Sequence, residues 1–192
     1  MKLTLATNVE IDTLHSKFKK FNVHLLEEPS NLYNYIGIMD VFNRVLNEEE
    51  ASELVRISHN IKHSAKFVST FINLFHIGEK EVYVYINKKA IRKEELKYIL
   101  SCLNRNEASF FRKLISNNKG IYKIGDVETL VFLTKLSVNE LYFGNFFFPA
   151  LETVIIGNYD LSFPVYSKTA VGFKACKKII EEHGLFIRQS MK

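Results

Sequence analysis

Residues 81–87 read Glu-Val-Tyr-Val-Tyr-Ile-Asn, and this stretch decides the class of fold. Its aliphatic side chains recur at every second position, which is the period of a β-strand. One face of the strand is therefore aliphatic, and the other carries Tyr83 and Tyr85. Helical patterns flank the strand on both sides, so the sequence predicts a protein that mixes helices with strands.

A helical subregion is predicted around this strand, over residues 47–117. Asn47 precedes three glutamates, and Asn at the cap with acidic residues in the first turn is typical of a helix start. We expect that helix to reach about Ile61, with Leu54 facing inward. Further helices are predicted at 65–75, ending before Gly78, at 91–103, at 106–115 with Asn106 at its start, and at 127–136 behind an Asp126 cap.

Residues 140–188 form a β-rich part. Strands are predicted at 140–148, 153–156 and 159–166, and the Gly157-Asn158 pair between the last two is typical of a two-residue hairpin turn. A helix at 174–182 and an edge strand at 185–188 follow. The sequence thus predicts a single α+β domain over 1–192, with several helices packed on a mixed, mostly antiparallel sheet and with a C-terminal hairpin and helix.

The composition is that of an ordinary globular protein, with 192 residues of which 47% are hydrophobic, and it excludes a disordered chain. The formal charge of +5 is unevenly distributed. Residues 56–123 carry 14 basic and 5 acidic side chains, whereas residues 1–55 carry 5 and 9. The middle third is therefore basic, and it is the part of the chain where an acidic ligand is expected to bind.

Sequence signatures of the common enzyme classes are absent. The chain has no Gly-x-Gly-x-x-Gly loop, no Walker loop and no Gly-x-Ser-x-Gly elbow, which argues against the usual nucleotide sites and the serine hydrolases. We expect no cofactor and no catalytic residue. We also expect no secretion signal, no membrane segment and a cytoplasmic location, in keeping with two isolated cysteines.

Two residue pairs combine side chains that can bind a metal or form a catalytic dyad. His59 and His63 have the spacing of helical metal ligands, but Asn60 stands where zinc proteases carry Glu, and no third ligand is marked. We therefore expect no metal, with an enzyme built on an unfamiliar site left as an alternative. Cys176 and His183 lie two helical turns apart, too far for a catalytic dyad, so a core cysteine and a helix-end histidine are expected.

The stretch 141–149 holds five aromatic residues. A strand would point Tyr142, Phe146 and Phe148 to one side, so either both faces of the strand are covered or one aromatic row is exposed. Core packing is the commoner arrangement, whereas an exposed row indicates a partner. On the second interpretation these three residues, with Asp160 in the following strand, are the candidate partner-binding residues.

The densest basic cluster is formed by Lys88, Lys89, Arg92 and Lys93, directly after the 81–87 strand. Such a cluster can neutralise phosphates, and the two tyrosines of that strand could stack on bases. This is the basis for a nucleic-acid-binding alternative. A solvated surface is the plainer interpretation, because no RNA- or DNA-binding signature accompanies the cluster.

The sequence resembles no family closely enough to transfer residues from it. The leading hypothesis is a non-catalytic protein-binding module, for example an inhibitor or immunity-type partner of another protein. It rests on the missing catalytic signatures, on the uneven charge and on the aromatic run. Whether the protein is a monomer or a dimer is left open.

Overall fold

The computed structural model describes residues 1–18, 33–54, 56–86, 91–116 and 120–189. In these residues seven α-helices and eight β-strands form an α+β fold, which confirms the predicted class. None of the helices described there is both long and apolar enough to span a membrane. The elements are β1 (Thr4–Leu5), α1 (Asn8–Lys17), β2 (Tyr35–Asp40), α2 (Glu48–Ser52), α3 (Arg56–Ile77), β3 (Val82–Ile86), α4 (Lys93–Ser101), α5 (Arg105–Ser116), β4 (Ile121–Ile124), α6 (Val127–Val138), β5 (Gly144–Phe148), β6 (Thr153–Ile156), β7 (Phe163–Ser167), α7 (Ala170–Glu182) and β8 (Phe186–Gln189).

All eight strands belong to one sheet, in the order β1-β4-β3-β5-β6-β7-β2-β8. Every pairing in the sheet is antiparallel. Strand β2 lies between the two C-terminal strands, so that Met39 pairs with both Phe163 and Ile187. Strand β8 is at the edge, as predicted.

Two hydrophobic cores lie on opposite faces of this sheet. The alternation predicted for β3 is confirmed, because Val82, Val84 and Ile86 join the larger core while Tyr83 and Tyr85 join the smaller one. Helices α3 to α7 contribute buried side chains to the larger core, and α1 contributes to the smaller core. The fold is therefore a sheet with helical cover on both sides.

Strand β5 is apolar on both of these faces. Phe146 and Phe148 enter the larger core, Phe147 enters the smaller core, and none of the three has exposed surface. The ring of Phe71 from α3 meets Phe146 edge-on at 4.7 Å, and Phe18 meets Phe147 at 5.3 Å. Edge-to-face contacts of this kind stabilise aromatic pairs beyond their burial.

Helix starts follow local capping chemistry. Asn47 caps α2 and Asp126 caps α6, as predicted. Helix α5, however, is capped by Asn104, whose Oδ1 accepts hydrogen bonds from the backbone N–H groups of Asn106 and Glu107 at 3.0 Å each. The Glu107 carboxylate accepts the Asn104 N–H in return, which completes a reciprocal cap and moves the helix start ahead of the predicted one.

The helix predicted to reach Ile61 is broken. Helix α2 ends at Ser52, and α3 begins at Arg56 and continues to Ile77. Since α2 buries no side chain, no core contact extends it beyond its capped first turn. Leu54 lies in the break with 37% of its surface exposed, where an inward position was predicted.

The predicted two-residue hairpin is wrong. Strands β6 and β7 do pair, but residues 157–162 connect them and contain a short 3-10 helix, Tyr159–Leu161. Asp160 in that helix has φ 56°, which is incompatible with the strand predicted from residue 159. The strand predicted over 140–148 begins only at Gly144, because Glu140 adopts φ 55° and residues 139–142 close the end of α6.

Gly172 is expected to be intolerant of a side chain. It lies in the first turn of α7, where a Cβ atom would come 2.0 Å from the carbonyl oxygen of Leu151. Alanine normally favours a helix by about 1 kcal/mol over glycine, but a backbone clash of this size costs more. We expect Gly172→Ala to lower the free energy of unfolding by about 1–3 kcal/mol in urea titrations.

Gly125→Ala is the matched control, since a Cβ there meets nothing within 4 Å. It should leave stability unchanged or raise it by up to about 1 kcal/mol. Equal stability of the two variants would contradict this account of how α7 docks.

Candidate functional site

A cleft of about 350 Å³ opens at the end of the sheet. It lies where the chain leaves β2, next to α2, to the first turns of α3 and to the connection between β6 and β7. Five separate segments of sequence meet there. The lining residues are Asp40, Phe42, Arg44, Val45, Leu46, Ala51, Leu54, His59, Asn60, Asp160, Ser162 and Arg188.

The floor of the cleft is a buried ion pair between Asp40 and Arg188, whose side chains are 5% and 16% exposed. Ser162 Oγ donates to Asp40 Oδ2 at 2.7 Å, and the backbone N–H of Phe42 donates to Asp40 Oδ1 at 2.9 Å. Both carboxylate oxygens of Asp40 are thus satisfied. The pair ties β2 to β8 and to the connection between β6 and β7.

One wall of the cleft is formed by His59 and Asn60 of α3. The His59 ring stacks on Phe42 at 5.6 Å with an interplanar angle of 5°. Asn60 is 4% exposed, and its Nδ2 donates a long hydrogen bond of 3.5 Å to Glu140 Oε1. Its Oδ1 is buried and has no hydrogen-bond partner. An unsatisfied buried acceptor costs about 1–3 kcal/mol, so a donor brought by a bound molecule would stabilise the site.

The mouth of the cleft is apolar and exposed. Val45 is 75% exposed and Leu54 is 37% exposed, and both line the cleft. Ile61 and Tyr159 are exposed as well, and they are the sequence neighbours of two lining residues, Asn60 and Asp160. We call the two that line the cleft, Val45 and Leu54, the apolar rim.

The four candidate partner-binding residues are placed differently. Phe146 and Phe148 are fully buried in the larger core, so the folded chain offers neither ring to a partner. Tyr142 is half-buried after α6, with its ring 5.4 Å from Phe111. The structure therefore shows the first of the two predicted arrangements, in which both faces of the strand are covered. Asp160 is exposed and lines the cleft, so its partner contact stays a prediction.

The basic cluster is only partly described. Arg92 and Lys93 are exposed at the start of α4, whereas Lys88 and Lys89 lie outside the described residues. Tyr83 and Tyr85 are 4% and 8% exposed, so base stacking by these rings is wrong.

Two other lysines of the basic third, Lys123 and Lys66, already have partners within the protein. Lys123 Nζ binds Glu10 at 2.8 Å and Glu81 at 2.7 Å, and Lys66 Nζ donates to the carbonyl of Gly184. The nucleic-acid alternative stays a prediction that now rests on exposed charge alone.

The Cys176–His183 pair is resolved by its surroundings. Cys176 is buried in the larger core, and burial raises the pKa of its thiol to about 12. His183 ends α7 and lies 2.7 Å from the side-chain amide of Asn73. A core cysteine and a helix-end histidine are therefore confirmed. Among the described residues, no group of three or more histidine, cysteine or acidic side chains could hold a metal ion.

The sequence did not indicate most of the cleft. Asp40, Arg188, Ser162 and Asn60 were not singled out. The one available signal was a charged residue, Asp40, at the end of an apolar run, where it needs a partner. No protein-family model, curated protein or solved structure matches this chain, so the site is interpreted from its own geometry.

Removing Asp40 should destabilise the protein strongly. Asp40→Ala leaves the Arg188 charge buried without its partner, which costs about 3–5 kcal/mol in comparable pairs. The double variant Asp40→Ala/Arg188→Leu should recover part of that loss, because the stranded charge is gone. Urea unfolding monitored by circular dichroism measures the free energy of unfolding of the wild type, the single variant and the double variant.

Arg44→Ala is the control for this prediction. It breaks the Arg44–Glu50 ion pair at the same cleft, but the Arg44 side chain is 58% exposed. An exposed pair contributes at most about 1 kcal/mol. Similar losses in the free energy of unfolding for Asp40→Ala and Arg44→Ala would show that the buried Asp40–Arg188 pair contributes no more to stability than the exposed pair.

Proposed function

We propose that the protein is a non-catalytic protein-binding module and that the cleft with its apolar rim receives a segment of the partner. The observation that carries this proposal is the position of Val45 and Leu54. These two exposed aliphatic side chains stand at the mouth of a cleft with a polar floor. Exposed apolar side chains grouped at one place on a surface are typical of interaction sites.

The exposure of the rim favours a protein over a small molecule. A cleft of about 350 Å³ is at the small end of the range for small-ligand sites. A ligand confined to that volume would leave much of the Val45 side chain in water, because this residue is 75% exposed. A protein surface laid across the mouth would cover the whole rim, and burial of apolar area drives association.

The charges of the cleft favour an uncharged, apolar segment at its centre. Arg44 is paired with Glu50, and Arg188 with Asp40. Burial is the first cause that lowers the pKa of His59, which favours the neutral ring. A charged side chain entering between these two ion pairs would have to be desolvated without a free opposite charge from either pair.

An inhibitor or immunity-type role is one concrete form of this function. Such a module would sit on the working surface of another protein and block it. We place this activity in the cytoplasm. Binding as a monomer or as a dimer satisfies the proposal equally, provided that the rim is the surface that meets the partner.

Photo-crosslinking from the rim tests the proposal. Benzoylphenylalanine at position 45 should crosslink a specific protein in lysate of the source cells, and the same probe at Val171 should not. Val171 is the matched control because it is a valine of the same high exposure, 79% against 75%, placed at the start of α7.

A charge in the rim should then abolish binding. Val45→Asp is expected to weaken the affinity for the captured protein at least tenfold, about 1.4 kcal/mol, whereas Val171→Asp leaves it unchanged. Isothermal titration calorimetry measures both affinities. Equal crosslinking from positions 45 and 171, no crosslinking at all, or equal affinity of the two Asp variants would overturn the proposal.

A further inference from the structure

His59 and His63 lie on consecutive turns of α3 with their ring centroids 4.7 Å apart and their planes at 59°. Residues four apart share one face of a helix, which brings their side chains together. His59 also lines the cleft, so one ring of the pair borders a space open to water and solutes. Two imidazoles in contact beside a cleft are a potential pair of metal ligands.

We propose that His59 and His63 bind a divalent transition-metal ion in adjacent coordination positions and that Cu²⁺ is the preferred ion. This site is independent of any protein partner at the rim. It differs from the zinc-protease arrangement, because the helix supplies two imidazoles and no intervening acid, with Asn60 following His59. The proposal concerns metal binding and includes no reaction at the metal.

The separation of the rings fits one ion held by both. A metal–nitrogen bond of about 2.0–2.1 Å places each ring centroid about 3.2 Å from the ion. Two centroids 4.7 Å apart then subtend an angle of about 95° at the metal. That angle is close to the 90° of tetragonal coordination, which Cu²⁺ and Ni²⁺ adopt, and smaller than the tetrahedral angle that structural zinc sites adopt. Among these ions, nitrogen sites bind Cu²⁺ most tightly.

A buried nitrogen without a partner also indicates a ligand. His63 Nδ1 is buried and makes no hydrogen bond. Histidines that serve structure alone usually have both ring nitrogens satisfied, since an unpaired buried polar atom is costly. Coordination would supply the partner that this ring lacks.

Burial, with nearby positive charge, lowers the pKa of both rings. Burial, then His59, Lys66 and Lys62, lower the pKa of His63 to about 4. Burial and Lys62 lower the pKa of His59, and the carboxylates of Asp40 and Asp160 act in the opposite direction. These shifts reduce the competition of protons with a metal for the two imidazoles.

Water would occupy the coordination positions of the ion that the two histidines leave open. No third histidine, cysteine or acidic side chain of the described residues completes a three-ligand group with this pair. The Asp40 carboxylate stays bound to Arg188, so it favours a cation at a distance and does not ligate it. Two lysines on the same helix oppose the ion, and we therefore expect moderate affinity.

Titration of the full chain with CuCl₂, NiCl₂ and ZnCl₂ tests the site. We expect one Cu²⁺ per chain, with tighter binding than Ni²⁺ or Zn²⁺. Electron paramagnetic resonance of the Cu²⁺ form should show splitting from two nitrogen ligands. In His63→Gln this splitting should fall to one nitrogen, and Cu²⁺ affinity should drop at least about tenfold.

His76→Ala is the control, because His76 is an exposed histidine on the same helix, at its other end. It should leave the affinity and the spectrum unchanged. Circular dichroism of each variant shows that it is folded, and His59→Gln provides a second test if His63→Gln is not. Cu²⁺ binding that survives both Gln substitutions, or the absence of saturable Cu²⁺ binding, would overturn the proposal.

Discussion

Burial of β5 on both faces is the constraint on which the architecture depends. Phe146 and Phe148 require an apolar layer on one side of the sheet, and Phe147 requires another on the opposite side. Each buried phenylalanine contributes roughly 1.5–3 kcal/mol, so leaving either face open would forfeit a large share of the stability of a domain this size. Helices α3 to α7 meet the first requirement, and α1 contributes to the second.

Elements with a strong local pattern could be predicted from the sequence. The alternation of 82–86 gave the strand and assigned each side chain to the correct face, and Asn47 and Asp126 gave two helix starts. The errors had two different causes. At α5 a local signal was overlooked, because the reciprocal Asn104–Glu107 cap starts the helix earlier than Asn106. Between β6 and β7 the packing of residues 157–162 replaced a tight hairpin.

The cleft could not be predicted, because none of its properties is local. Asp40 and Arg188 are far apart in sequence, and only the pairing of β2 with β8 brings them together. The rim owes its exposure to the break between α2 and α3, which turns Leu54 outward. The aromatic run is prominent in the sequence because it is the core, and the surface available to a partner is built from residues that no pattern distinguishes.

The position of β2 has a consequence for biosynthesis. Within the described strands its neighbours are β7 and β8, which the ribosome makes long after β2 itself. Until they emerge, Ile36, Ile38 and Met39 have no strand to pair with, and contacts between such distant segments form slowly. The nascent chain therefore carries an apolar, unpaired strand through most of its synthesis, and such a strand is prone to aggregation or to capture by a chaperone. The cleft is likewise incomplete without β8, because Arg188 of that strand forms its floor with Asp40.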